Sequence, residues 1–168
     1  LDRVVIVGPG LIGGSLGLVI REAGLARTVV GVGHRQNTLD RARAIGAVDE
    51  TSFDASAAVV GADLVILATG VRLIRQMIPQ LTPKLRPGAV MTDVGSVKAS
   101  VCAAASDALG PTPQSFFLGS HPLAGSEKRG IEAARADLFH GALCVLTPVR
   151  ATDPEGKARR LLRALWES

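Results

Sequence analysis

Residues 4–13 read Val4-Val5-Ile6-Val7-Gly8-Pro9-Gly10-Leu11-Ile12-Gly13, an apolar run that passes directly into a glycine-rich turn. The glycines match a GxGxxG pattern, and the apolar spacing of residues 11–23 predicts a helix. In such a strand–turn–helix unit Gly8 permits the tight turn, Gly10 lets the backbone approach a pyrophosphate, and Gly13 lets the helix pack closely on the sheet.

The start of this helix is expected to bind the anion. Its first amides, at Leu11 and Ile12, would donate to the phosphates, and the helix dipole adds attraction. A glycine-rich turn that binds nothing is the alternative. The flanking strand and helix favour a dinucleotide site formed by Gly8, Gly10, Leu11, Ile12 and Gly13.

Apolar runs and helical patterns alternate along the chain. Buried parallel strands are predicted at residues 3–7, 28–32, 63–68, 89–92, 115–118 and 143–146. Helices are predicted at residues 11–23, 38–45, 54–60, 71–81 and 97–109, with Pro79 disturbing the fourth. This order predicts an α/β fold of the Rossmann type, a doubly wound, mostly parallel sheet with helices on both faces.

Length and composition predict one globular domain and a short extension. The chain has 168 residues, of which 47% are hydrophobic and 20% charged, and this balance excludes disorder. We assign residues 1–150 to the domain and residues 151–168 to the start of a linking helix, capped by Asp153 with Pro154 at its first position. Its apolar face is expected to dock on material outside this sequence. That face carries Leu161, Leu162 and Leu165. The chain begins at Leu1 without an initiator Met and ends at Ser168 within an uncapped helix, so we expect it to be a fragment.

Several classes of protein are disfavoured. No apolar run approaches the roughly 18 residues that span a bilayer, and no signal-peptide pattern is present, so a cytoplasmic location is expected. Aromatic residues make up 3% of the chain and no nucleic-acid-binding motif occurs, so no nucleic-acid partner is expected. Cys102 and Cys144 lack metal-ligand spacing, which predicts no metal site and two buried thiols in a reducing compartment.

The loop after the second predicted strand indicates which dinucleotide binds. NAD-binding domains usually place Asp or Glu there, about 20 residues beyond the glycines, on the ribose hydroxyls. This chain reads Gly33-His34-Arg35-Gln36-Asn37-Thr38 instead. His34, Arg35 and Thr38 are therefore predicted to bind a 2′-phosphate, so NADP is the expected cofactor, with NAD possible. The alternative is that Arg35 is a solvated loop residue.

Polar residues that follow strands are the candidates for chemistry, since ligands of doubly wound sheets bind at the carboxyl ends of the strands. His121 comes after the run at 115–118 and beside a glycine-rich loop, which favours a role as general base or acid. Ser96 is expected to cap the helix at 97–109, to align His121 and the substrate hydroxyl, or to do both. Asp93 and Lys98 are interpreted as a structural ion pair rather than as catalytic groups.

Three ordered motifs resemble the prephenate/arogenate dehydrogenase family of tyrosine biosynthesis. They are the segment at 8–16, the segment Thr92-Asp93-Val94-Gly95-Ser96-Val97-Lys98, and the segment at 121–130 that reads HPLAGSEKRG. The resemblance runs over nearly the whole chain. It implies oxidative decarboxylation, in which hydride leaves the substrate ring for a nicotinamide while the ring hydroxyl loses its proton and carbon dioxide departs.

The resemblance also implies roles for individual residues. The family's catalytic histidine corresponds to His121, and its hydrogen-bonding partner to Ser96. Glu127, with the neighbouring Ser126, corresponds to the substrate site, and Thr69 lies where a loop borders the cofactor. Gly70 departs from the family, in which proline is commoner there. The family's second, helical domain, which forms the homodimer, has no counterpart in this sequence, so the chain alone is expected to bind cofactor and turn over poorly.

Two alternatives remain open at this stage. One is another NADP-dependent Rossmann oxidoreductase, acting on β-hydroxyacids or imines. The other is a regulatory domain that senses NADP and performs no chemistry. Within the family the substrate is also open, since Glu127 and Lys128 favour prephenate whereas the loop at 33–38 is similar to that of arogenate enzymes.

Overall fold

A computed structural model describes residues 1–149 and 156–167. This part of the chain forms one sheet of seven strands with six α-helices. The strands are β1 (Arg3–Val7), β2 (Thr28–Val32), β3 (Glu50–Ser52), β4 (Leu64–Leu67), β5 (Val90–Asp93), β6 (Phe116–Pro122) and β7 (Cys144–Pro148). The helices are α1 (Leu11–Glu22), α2 (Gln36–Ala44), α3 (Ala55–Ala58), α4 (Val71–Leu81), α5 (Ala99–Leu109) and α6 (Lys157–Trp166).

The strand order is β3-β2-β1-β4-β5-β6-β7, and the first six strands are parallel. The order reverses between β1 and β4, which is the switch point where doubly wound sheets bind their ligands. The predicted Rossmann-type fold is confirmed.

The apolar runs are continuous because both faces of the sheet are covered. Alternate residues of β1 enter two different cores: Val5 and Val7 pack on the face that carries α3, α4 and α5, whereas Val4 and Ile6 pack on the face of α1, α2 and α6. All four side chains are buried.

The last strand differs from the prediction. β7 runs antiparallel to β6, with His121 opposite Val145, whereas a parallel strand was expected at 143–146. A parallel return needs a long crossover, usually a helix. The segment between β6 and β7 holds only the short 3₁₀ turns Ile131–Ala133 and Ala136–Phe139, so the chain turns back beside β6.

Two further expectations are corrected. β3 was not predicted, because Glu50, Thr51 and Ser52 form a polar three-residue edge strand without an apolar run. The apolar face of α6, which was expected to dock on material outside this sequence, packs on the domain itself: Leu162 and Leu165 are buried in the core beside β1, and Leu161 is partly buried against it. The capping roles of Asp153 and Pro154 lie outside the described residues. Pro79 does not end α4, which runs to Leu81.

Candidate functional site

A cleft of about 520 Å³ opens at the carboxyl end of β1, across the switch point of the sheet. Three sequence-predicted groups line it together: the glycine turn with Gly8 and Gly10, the loop with His34, Arg35 and Thr38, and Thr69 after β4. These groups are distant in sequence and meet because β1, β2 and β4 are adjacent parallel strands. No acidic side chain lines the cleft among the described residues.

The glycines of the turn meet different neighbours. Gly8 has a φ of +89°, and a Cβ there would lie 2.7 Å from Thr69 Cγ2. A Cβ on Gly13 would lie 2.4 Å from the Gly8 carbonyl oxygen, so α1 packs as closely as glycine permits. A Cβ on Gly10 would meet nothing within 4 Å. The protein itself therefore leaves space at Gly10, which is where a pyrophosphate would need to approach.

The loop after β2 presents basic and amide groups to the cleft. Arg35 is exposed and is the N-cap residue of α2, which begins at Gln36, two residues earlier than predicted. Thr38 therefore lies in the first turn of this helix. A helix N-terminus beside an exposed guanidinium favours an anion.

Thr69 carries a buried hydroxyl that suits a polar ligand. Its Oγ1 is buried and has no hydrogen-bond partner within residues 1–149 and 156–167. Buried hydroxyls without partners are rare, since each costs free energy of desolvation. Together with the open space at Gly10, this unpartnered atom shows that the cleft fits a ligand with polar groups.

Sequence reasoning missed the apolar wall of this cleft. Phe53 is 61% exposed and Leu73 is 45% exposed, and both line the cleft with Met77. Exposed large apolar side chains inside a cleft favour a flat or apolar ligand group. The sequence signal for this wall was Phe53, a single phenylalanine among polar residues. It directly follows β3, the strand that was not predicted.

A buried polar cluster lies between the ends of β5 and β6. The Thr92 hydroxyl donates to the Leu118 carbonyl at 2.7 Å and lies 2.9 Å from Ser120 Oγ. Lys98 Nζ donates to Asp93 Oδ2 at 2.5 Å and to the Ser120 carbonyl at 2.6 Å. The predicted Asp93–Lys98 ion pair is therefore present.

Asp93 is fully buried, and burial raises the pKa of its carboxyl above the usual value. The hydrogen bond and charge of Lys98, and the Gly95 amide at 2.9 Å from Oδ2, act in the opposite direction. Its Oδ1 has no hydrogen-bond partner in the described part of the chain. A buried carboxylate with one bound cation depends strongly on that cation.

His121 lies on β6 itself, half-buried, rather than in a loop beyond the strand. The strand was predicted to end at residue 118, but antiparallel pairing with β7 extends it to Pro122. Ser96 is exposed, and no hydrogen bond joins it to His121 within the described ranges. The capping role predicted for Ser96 is wrong, because α5 begins at Ala99 with Lys98 as its N-cap and no side chain caps it.

The segment after β6 folds back over α1. Arg135 N donates to Ser15 Oγ at 3.0 Å, and a Cβ on Gly14 would lie 2.5 Å from Ile131 Cδ1. Gly130 thereby reaches the cleft. Ser126 and Glu127 are exposed in the same segment, with Lys128 N donating to Ser126 Oγ at 3.2 Å.

The two cysteines are free thiols and are half-buried, not fully buried as expected. Burial raises the pKa of the Cys144 thiol to about 11, so little thiolate forms near neutral pH.

Within the described residues no three His, Cys, Asp or Glu side chains are grouped to hold a metal, and no helix is long and apolar enough to cross a membrane.

A family model described as the nucleotide-binding domain of prephenate dehydrogenase matches residues 16–167. The chain belongs to the prephenate dehydrogenase family. A cyclohexadienyl dehydrogenase of Zymomonas mobilis is 36% identical over 165 residues, which are 98% of this chain and 55% of that protein.

Two solved structures of the prephenate dehydrogenase family share the fold. The prephenate dehydrogenase of A. aeolicus, in complex with hydroxyphenyl propionate and NAD+, has a TM-score of 0.87 at 30% identity, covering 99% of this chain and 57% of that one. The arogenate dehydrogenase of Synechocystis has a TM-score of 0.85 at 37% identity, and the match covers 98% of this chain and 57% of that one. The chain spans about half the length of the curated relatives it matches.

Proposed function

We propose that this chain is the catalytic, cofactor-binding part of an NADP-dependent dehydrogenase that oxidatively decarboxylates prephenate or arogenate. One observation carries the proposal: in a chain of this family, the cleft at Gly8 and Gly10 and the strand end with His121 lie at the same edge of the sheet. The names of the relatives support the reaction class, since they are prephenate, arogenate and cyclohexadienyl dehydrogenases.

The cofactor would lie along the cleft. Its pyrophosphate would approach Gly10 and accept hydrogen bonds from the amides of Leu11 and Ile12, and the Thr69 hydroxyl would find its missing partner on the ligand. The apolar wall formed by Phe53 and Leu73 suits the adenine. When bound, the nicotinamide supplies a hydride acceptor.

The preference for NADP is part of the proposal. A cleft without an acidic residue but with the Arg35 guanidinium, His34, Thr38 and the α2 N-terminus suits a 2′-phosphate better than two ribose hydroxyls. The A. aeolicus relative was solved with NAD+, so a direct comparison of the two cofactors is the test.

His121 would take the proton of the substrate's ring hydroxyl, with Ser96 aligning that hydroxyl. His121 lies near the carboxyl end of β6, and Ser96 comes shortly after the end of β5. Because Ser96 is exposed, a ligand can reach its hydroxyl. Ser126 and Glu127, also exposed, would bind the substrate's polar end. These roles require the ligand-bound state, in which catalytic hydrogen bonds commonly tighten.

We further propose that residues 1–150 are the cofactor domain, that α6 packs on the core of this domain rather than standing apart as a linking helix, and that the longer protein continues into a helical dimerisation domain. The coverage of about half of each curated relative supports a second domain in the longer protein. The free thiols suit a reducing compartment, and we propose a cytoplasmic homodimer. The isolated chain would bind cofactor and turn over poorly. Light scattering of the gene product that contains this chain tests the dimer.

The test of function uses that same gene product. Prephenate and arogenate are supplied separately, each with NADP and with NAD, and reduced cofactor is followed by absorbance. Turnover of at least one substrate, faster with NADP, is expected. The absence of turnover with both substrates and both cofactors would overturn the proposed reaction, and equal kcat/KM for the two cofactors would overturn the NADP preference.

A further inference from the structure

The backbone ladder between β5 and β6 stops short of His121. Parallel pairing covers only Val90 with Phe116 and Met91 with Phe117, although β5 continues to Asp93 and β6 to Pro122. The carbonyls of Leu118 and Ser120 lie two residues apart, hence on the same strand edge, and both accept side-chain donors instead. Side chains thus hold the β5-facing edge of β6 where the β5–β6 ladder has ended, while β7 pairs with the opposite edge.

Lys98 supplies the donor next to His121. Its ammonium bonds the carbonyl of Ser120, the residue immediately before His121, at 2.6 Å. The same ammonium bonds Asp93 Oδ2 at 2.5 Å, and Asp93 is the last residue of β5. The Lys98 side chain is 14% exposed and that of Asp93 is 0% exposed, so water competes weakly for these bonds.

The surrounding packing leaves β6 little freedom at this point. A Cβ on Gly119 would lie 3.3 Å from both Asp93 Oδ1 and Lys98 Cδ, so the strand passes close to the ion pair. Ser120 Oγ lies 2.9 Å from the Thr92 hydroxyl and accepts from Trp166 Nε1 at 3.3 Å. On the β5 side, the position of His121 therefore depends on polar contacts of the residue that precedes it, while β7 pairs with the other edge of the strand, with His121 opposite Val145.

We propose that Lys98, fixed by Asp93, is a positioning residue that sets the place of His121 for proton transfer. This inference rests on the proposed function. Lys98 acts through the backbone of Ser120 and needs no contact with substrate. A displacement of about 1 Å at a reacting group costs roughly 10²-fold in rate, so the loss of this bond should appear in turnover.

A purely structural ion pair is the competing explanation, and two variants separate it from positioning. Lys98→Met removes the donor and leaves Asp93 buried without its cation, which is expected to lower both stability and kcat. In Asp93→Asn/Lys98→Met no carboxylate remains to be compensated, so stability should recover. The Ser120 carbonyl still lacks its donor in the double variant, so kcat should remain low.

The experiment compares both variants with wild type in the gene product that contains this chain. Bound NADP per protomer gives the folded fraction, thermal unfolding gives stability, and kcat and KM for the active substrate are measured across pH. Lys84→Met, at an exposed residue of the 3₁₀ turn Thr82–Lys84, is the matched control. The pH limb of kcat that His121→Asn abolishes serves as the signature of His121.

The expected result for the double variant is near-normal stability and NADP binding, kcat lower by about 10²-fold and a weakened His121 limb in the pH profile. A double variant whose kcat recovers with its stability, or keeps the wild-type pH limb, would overturn the positioning role. Wild-type protein that turns over neither substrate would instead show that the proposed function itself fails, and the inference with it.

Discussion

Gly13→Ala should destabilise the chain before any ligand is involved. The added Cβ would lie 2.4 Å from the Gly8 carbonyl oxygen and 3.0 Å from Ala68 Cβ and Ile6 Cγ2. The closest atom belongs to backbone in a turn that the Gly8 amide ties to Val32 O at 2.8 Å. Relief of the clash therefore requires α1 to move away from β1.

Two opposing contributions set the change in the free energy of unfolding of Gly13→Ala. Overpacking costs typically about 1–3 kcal/mol, and contact with backbone rather than a flexible side chain places this case at about 2–3 kcal/mol. Replacing glycine by alanine within a helix returns up to about 1 kcal/mol. The net loss is about 1–2 kcal/mol, which lowers the Tm of a chain of this size by about 2–8 °C.

The matched control is Gly10→Ala, since its Cβ would meet no atom within 4 Å. Calorimetry of the ligand-free chain should give Gly10→Ala a Tm within about 2 °C of wild type, while calorimetric titration should show NADP binding weakened at least tenfold. Equal Tm losses in the two variants, or an unchanged Tm in Gly13→Ala, would refute the steric reasoning. Unchanged NADP affinity in Gly10→Ala would refute the placement of the pyrophosphate.

Three further predictions concern single side chains. His121→Asn in the gene product should lower kcat by about 10²–10⁴-fold with NADP affinity retained, and near-normal turnover would remove His121 from its role. Arg35→Ala should weaken NADP binding about 10–100-fold by titration and leave NAD binding unchanged; equal losses for both cofactors would contradict a 2′-phosphate contact. Burial raises the pKa of the Cys144 thiol from 9.0 to about 11, so the thiol keeps its proton to a higher pH in the folded state than in the unfolded state. Its contribution to the free energy of unfolding is therefore full below about pH 9 and is lost as the pH rises toward about 11. Urea unfolding across this range should show a smaller decline in Cys144→Ala, and an identical decline would show that Cys144 is not its source.

The central fold was predictable because its signals are local. The run from Val4 to Gly13 contains a strand, a turn and a helix start, and each needs only neighbouring residues to be recognised. The direction of β7 was not predictable from its apolar run, since parallel and antiparallel strands can share that pattern. It depends on how the segment after β6 folds over α1, through contacts such as Arg135 with Ser15.

The site was predictable to the extent that strand ends define it. His34, Arg35, Thr38 and Thr69 each follow a strand, and the structure brings them to one cleft. The support of His121 could not be foreseen, because the contacts of Thr92 and Lys98 with β6 join residues more than twenty positions apart. They lie beyond the last β5–β6 ladder pair, Met91 with Phe117, where local apolar patterns carry no information about side-chain partners.

The most direct test of the proposed function is the ratio of carbon dioxide released to NADPH formed. The gene product is supplied with NADP and with prephenate or arogenate labelled with ¹³C at the ring carboxyl, and both products are counted in one reaction. Oxidative decarboxylation predicts one carbon dioxide for each NADPH. NADPH without labelled carbon dioxide would indicate a simple hydroxyl or amine dehydrogenase, and NADP binding without either product would indicate a sensor; both results contradict the proposal.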